Sequence, residues 1–147
     1  MFSSDSSSHK TRVAAHFVDA APAEGDMTTV EGWVTFYDES KKSWIPLERA
    51  KVSIYLDGRE IGSSETNDYG MFSFTFVAPS AGKHKLEVRF KGKQGYEISS
   101  KSMEFQVLKR EEKRRLGKLA KIIFVLIITL MFLMFLTVFI AKFSSGS

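Results

Sequence analysis

Residues 51–76 read KVSIYLDGREIGSSETNDYGMFSFTF, and the spacing within them decides the fold. Val52, Ile54 and Leu56 fall at every second position, and so do Phe72, Phe74 and Phe76. A period of two puts each apolar set on one face of a strand, so both segments predict half-buried β-structure. Asp57-Gly58 suits a two-residue hairpin turn, and Asn67-Asp68-Tyr69-Gly70 suits a longer one. Working outward, the same alternation recurs in Val30, Val34 and Phe36, in Leu86, Val88 and Phe90, and in Met103, Phe105 and Val107. Pro79-Ser80-Ala81-Gly82 and Gly92-Lys93-Gln94-Gly95 supply further turns. No segment of residues 28–108 sustains a 3.6-residue period. About seven short strands in roughly 80 residues, with turns every 8–12 residues, predict an immunoglobulin-like β-sandwich.

Beyond the strands the chain changes solvent. Residues 122–141, IIFVLIITLMFLMFLTVFIA, contain no charge, Gly or Pro. About 20 apolar residues at 1.5 Å each match the roughly 30 Å hydrocarbon core of a bilayer, which predicts a single transmembrane helix. Its place at the end of the chain predicts insertion after synthesis, as a tail anchor. Residues 1–26 are Ser-rich and polar and lack the apolar run of a secretory signal; they predict a flexible tail. The expected plan is therefore a tail over 1–26, a sandwich over 27–108, a basic juxtamembrane helix over 109–121 continuing the membrane helix, the span over 122–141 and a short tail over 142–147.

Charge is distributed unevenly. Residues 1–108 carry 13 basic and 15 acidic side chains, a net of −2, whereas the total is +4. The excess lies beside the span, in Lys109, Arg110, Lys113, Arg114, Arg115, Lys118 and Lys121, against Glu111 and Glu112. Beyond the span only Lys142 is basic. A Lys/Arg excess on one flank marks the cytoplasmic side, so the N-terminal domain is expected to face the cytoplasm. The seven basic residues are also placed to meet anionic lipid headgroups. A domain of net negative charge argues against nucleic acid as its partner. The chain has no Cys, which excludes disulfides and thiolate metal sites.

Within residues 28–108 the string GWVTFYDESKKSWIPLERAKVSIYLDGREIGSSETNDYGMFSFTF resembles the carboxypeptidase regulatory-like, or transthyretin-like, β-sandwich domains and their bacterial immunoglobulin-like relatives. The matching positions are Gly32 and Val34, Pro46 and Leu47, Ala50 and Val52, and Thr66, Gly70, Phe72 and Phe74; residues 82–92, GKHKLEVRFKG, are similar to the penultimate strand of such domains. The resemblance implies a transthyretin-like sandwich and no particular activity, because such domains serve as spacers, adhesive modules and appendages to enzymes. Some relatives form a Lys–Asn isopeptide bond. Lys51 could supply the Lys, but residues 102–108 contain no Asn.

Catalytic and metal chemistry find no pattern to stand on. His9, His16 and His84 are scattered, and His84 lies between Lys83 and Lys85, which disfavours a metal. Asp57, Glu65 and Asp68 stand at hairpin ends, where turn formation is the expected role rather than Ca²⁺ binding. No nucleophile motif or phosphate loop is present. Trp33, Tyr37 and Tyr55 are out of phase with the apolar set and are expected on a second face. Covered by the sheet edges or by residues 38–44 they become satellite core; left open they make a partner patch.

These readings converge on a non-enzymatic, single-pass membrane protein without cofactor or metal. Its sandwich is an interaction or accessory module whose partners are the bilayer and another membrane or membrane-associated protein, with oligomeric state left open. Two alternatives stand beside it: an exported surface domain used in structure or adhesion, and an accessory subunit of a membrane enzyme.

Overall fold

A computed structural model describes residues 8–146. The chain divides into two units, residues 1–108 and residues 109–147. Among the described residues the first holds eight strands: β1 (Thr11–Phe17), β2 (Met27–Asp38), β3 (Ser43–Pro46), β4 (Lys51–Leu56), β5 (Arg59–Glu65), β6 (Met71–Val77), β7 (Gly82–Phe90) and β8 (Ser99–Val107). The second is one helix, α1 (Arg110–Ser144).

The strands form two antiparallel four-stranded sheets. In the first, the long β2 takes β1 along one side and both β6 and β3 along the other. The second runs β5-β4-β7-β8. Residues predicted to share faces do so: Val30, Val34, Phe72 and Phe76 from the first sheet meet Val52, Ile54, Leu86, Val88, Phe90, Phe105 and Val107 from the second in one core. Burying such side chains contributes about 1.5–3 kcal/mol each and offsets the entropy of ordering the strands. Asp57 and Gly58 both have positive φ, as the two-residue turn between β4 and β5 requires.

Two expectations change. The sandwich has eight strands rather than about seven, and it does not begin at residue 27. Residues 11–17, placed in the expected flexible tail, pair with β2 from Thr11 opposite Phe36 to Phe17 opposite Val30. Val13 is buried, and Ala15 and Phe17 pack on the core. The physical reason is complementarity: β2 is long enough to pair on both sides, and without β1 its ladder groups on one side would be left open. Residues 1–7 of the expected tail lie outside the described residues.

The segment from β1 to β2 is also built in. Pro22 and Ala23 are buried, the Leu108 N–H donates to the Pro22 carbonyl, and the Glu24 N–H donates to the Leu108 carbonyl, each at 2.9 Å. Both backbone groups of Leu108 are thus held by the sandwich. At the opposite end His9 bridges to Tyr96, and the rings of His9, Phe36 and Tyr96 lie 5.2–5.5 Å apart.

Helix α1 is continuous through the basic stretch and the apolar run, and it extends to Ser144 into the expected tail. Glu112 accepts the Lys109 N–H at 3.4 Å at its start. Glu111 and Glu112 in the first turn and Lys142 in the last complement the helix dipole.

Candidate interaction surface and membrane helix

Alternation along β2 aims Glu31, Trp33, Thr35 and Tyr37 away from the core. Their neighbours follow from register: Trp33 stands opposite Ala14 of β1 and Met71 of β6, Thr35 opposite Arg12, and Tyr37 opposite Trp44 of β3. Trp33 is 42% exposed, Trp44 39% and Met71 51%. The Tyr37 and Trp44 rings meet edge to face at 5.4 Å, and the Arg12 guanidinium lies 4.4 Å from the Trp44 ring centre. Arg12 therefore covers part of Trp44, and Tyr37 is half-buried, while Trp33 and Met71 stay open. Thr35 shares this face, and its hydroxyl is buried with no hydrogen-bond partner among the described residues. Neither the sheet edges nor residues 38–44 close the face.

Tyr55 does not join this patch. It belongs to β4, in the other sheet, where it faces outward beneath the Arg89 guanidinium at 4.4 Å with Lys91 Nζ at 5.9 Å. Arg89 is ion-paired with Glu87 at 3.0 Å, which holds its guanidinium above the usual range of protonation. Parity placed Trp33, Tyr37 and Tyr55 outward correctly, yet a sandwich has two outward faces. The three residues are split between them.

Trp44 and Met71 complete the patch and were not among the expected site residues. Their signal lay in strand pairing, since each sits beside an outward aromatic of β2 only once the register is known.

At the hairpin ends Asp57 forms a local clasp and Asn67 shapes a turn. Asp57 bonds His84 and accepts the Lys85 N–H at 2.9 Å, and these bonds hold its carboxyl below the usual carboxylate range. Asn67 accepts the N–H groups of Tyr69 and Met71 at 2.9 and 3.0 Å, shaping the turn before β6. Among the described residues no three His, Cys, Asp or Glu gather into a metal-binding group.

The apolar helix presents its own chemistry. It is long and apolar enough to cross a membrane, and none of its residues is buried against protein. At 1.5 Å per residue its length is about 52 Å, so it exceeds a hydrocarbon core by several turns. Its two hydroxyls are satisfied within the helix: Thr129 donates to the Val125 carbonyl and Thr137 to the Met134 carbonyl, both at 2.8 Å. Neither needs water or a neighbouring helix. The seven basic residues of the N-terminal flank all lie at the cap of this helix or within its first turns.

Fold and surface define a class: a two-sheet antiparallel sandwich with one open aromatic face, followed by a candidate membrane-spanning helix. No family model matches the chain. An uncharacterized protein of Archaeoglobus fulgidus is 66% identical over 142 residues, covering 97% of this chain and 98% of that one, and the chain belongs to the same family. Among solved structures, the CARDB domain of a Pyrococcus furiosus protein, crystallised in complex with di-metal ions, is similar with a TM-score of 0.45 at 9% identity, over 68% of this chain and 87% of that one. The same domain in solution gives 0.45 at 11% identity, over 68% and 94%.

Proposed function

We propose that this protein is a non-catalytic interaction module fixed to a bilayer by its C-terminal helix, with the sandwich on the cytoplasmic side and the outer face of its first sheet as the partner-binding surface. The observation that carries this reading is the row Trp33, Met71 and Trp44 with Arg12, exposed together on one sheet face. Trp, Tyr, Met and Arg are the side chains that dominate the energy of protein interfaces, and here they lie in rigid strands rather than loops. The face stands toward the end of the sandwich opposite Leu108, where the chain leaves for the helix. The partner is another membrane or membrane-associated protein.

The seven-to-one excess of basic residues beside the span supports the cytoplasmic side, and the same residues meet anionic headgroups. The sandwich is of the carboxypeptidase regulatory-like, transthyretin-like kind. That reading draws support from the roles of the motif positions: Thr66 and Ala50 join through a buried hydrogen bond, and Gly70 adopts φ 70° where a Cβ would lie 2.7 Å from the Val34 carbonyl oxygen.

A photo-crosslinking amino acid placed at Met71 or Trp44 in native membranes tests the surface, with the exposed Ser100 and Ser102 on the outer face of the second sheet as the comparison. The expected result is a discrete adduct from the first pair and none from the second. Equal labelling from both faces, or none from either, overturns the assignment.

A further inference from the structure

His84 shares parity with Leu86, Val88 and Phe90, so its ring turns inward, to the rim of the core, and its side chain is only 13% exposed. Both ring nitrogens face acceptors. Nδ1 lies 2.5 Å from the Asp57 carboxylate, in the turn between β4 and β5, and Nε2 lies 2.6 Å from the Ser80 carbonyl, in the loop between β6 and β7. A neutral imidazole has one N–H and can satisfy only one of these; the imidazolium donates to both. We propose that His84 is a proton-operated clamp that fastens the β4–β5 turn to the β6–β7 loop when charged and releases one of them when it loses its proton.

The surroundings support a charged ring. Asp57 is the acid facing His84, and its hydrogen bond raises the histidine above the ordinary value of about 6.5, with the Ser80 carbonyl adding to the effect. Burial opposes this and is outweighed. Lys83 and Lys85 belong to the other face of β7 by alternation, and Glu104 stands opposite Lys85 on that same face. From β8 the facing group is the Phe105 ring at 5.9 Å, which carries no charge. Arg59 pairs opposite Leu56 beyond the turn, and Glu24 from the β1–β2 segment accepts the Ala81 N–H at 2.7 Å beside Ser80.

The clamp has a definite pH window. Because the folded pKa is raised, its contribution is complete below about 6.5 and is lost as pH rises through the folded value. On the acid side Asp57 is lowered from 3.8, so its contribution is complete above that value and is lost as pH falls through the folded one. What opens first on the alkaline side is the end of the sandwich nearest Leu108. A rise in pH thus loosens the Ser80 loop and the adjoining Glu24 contact without touching the core.

The test uses the full chain in nanodiscs with ¹³C-labelled histidine. The three imidazoles are assigned with His9→Gln and His16→Gln, and amide exchange is followed as protection factors corrected for intrinsic pH dependence. His84 is expected to titrate above 6.5, and protection at residues 81–84 to fall about tenfold or more through the same pH range, while residues 57–59, Val30 and Val34 keep theirs. Asp57→Asn should bring the His84 titration back toward or below 6.5. A His84 titration at or below 6.5 in the unaltered protein overturns the clamp, and so does protection that stays constant through the titration. His84→Gln should remove the pH dependence of exchange at residues 81–84; where that variant does not fold, the titration of the unaltered chain decides.

Discussion

The Thr66 hydroxyl accepts the Ala50 N–H at 2.8 Å and donates its own proton to the Leu47 carbonyl at 2.6 Å. One buried side chain thereby closes the loop between β3 and β4 against the end of β5, and the Thr66 N–H adds a third bond, to the Ala50 carbonyl at 3.0 Å. Thr66→Val keeps the shape but leaves a buried donor and a buried acceptor unpaired. The expected loss is about 2–6 kcal/mol of unfolding free energy, since each of the two orphaned groups costs roughly 1–3 kcal/mol. Urea unfolding followed by tryptophan fluorescence measures it. Thr66→Ser should recover most of the loss; a Val variant as stable as the parent would mean the hydroxyl is not holding the loop.

The N-terminal strand gives a second expectation. Removing residues 1–26 takes Val13, Ala15 and Phe17 from the core, and Phe105 loses the Phe17 ring 4.7 Å away. Such a truncation should abolish cooperative unfolding. A gentler probe is Gly32→Ala, because a Cβ at Gly32 would lie 2.0 Å from the Ala14 carbonyl oxygen and 2.9 Å from the Ala15 Cα, both backbone atoms. Backbone cannot step aside as a flexible side chain can, so the expected result is separation of β1 from β2. Hydrogen exchange should show protection lost along residues 11–17 and retained in β4 and β7. Protection retained throughout would show that the backbone shifts to admit the Cβ without releasing β1.

Strands with large apolar residues in strict alternation were legible from the sequence: β2, β4, β6, β7 and β8 all carry Val, Ile, Leu or Phe on the inner parity. β1 was not, because its two central residues, Ala14 and Ala15, blur the contrast between faces, and a polar Ser-rich segment precedes it. β5 contributes little apolar surface beyond Ile61, and is held by the turn at Asp57-Gly58 and by pairing with β4. The site was legible in part for a similar reason. Parity says which way a side chain points from its own strand, and it placed Trp33 and Tyr37 outward. It says nothing about which sheet the strand joins, so Tyr55 was grouped with residues on the far side of the sandwich. Likewise the flanking lysines of His84 read in sequence only as disfavouring a metal, whereas alternation removes both to the opposite face and a turn distant in sequence supplies Asp57.

The last expectation concerns which side of the bilayer the sandwich occupies. If the excess of Lys109, Arg110, Lys113, Arg114, Arg115, Lys118 and Lys121 over Lys142 sets orientation, protease added to intact cells should leave the sandwich whole, and digestion should follow only when the membrane is opened. A tag after Ser147 would then be the accessible end. Neutralising Lys113, Arg114, Arg115 and Lys118 should weaken insertion rather than invert it, because the sandwich would have to cross the bilayer as a whole. Loss of the sandwich to protease in intact cells would overturn the cytoplasmic assignment and move the Trp33–Met71 face to the outer surface, where its partner would have to be sought instead.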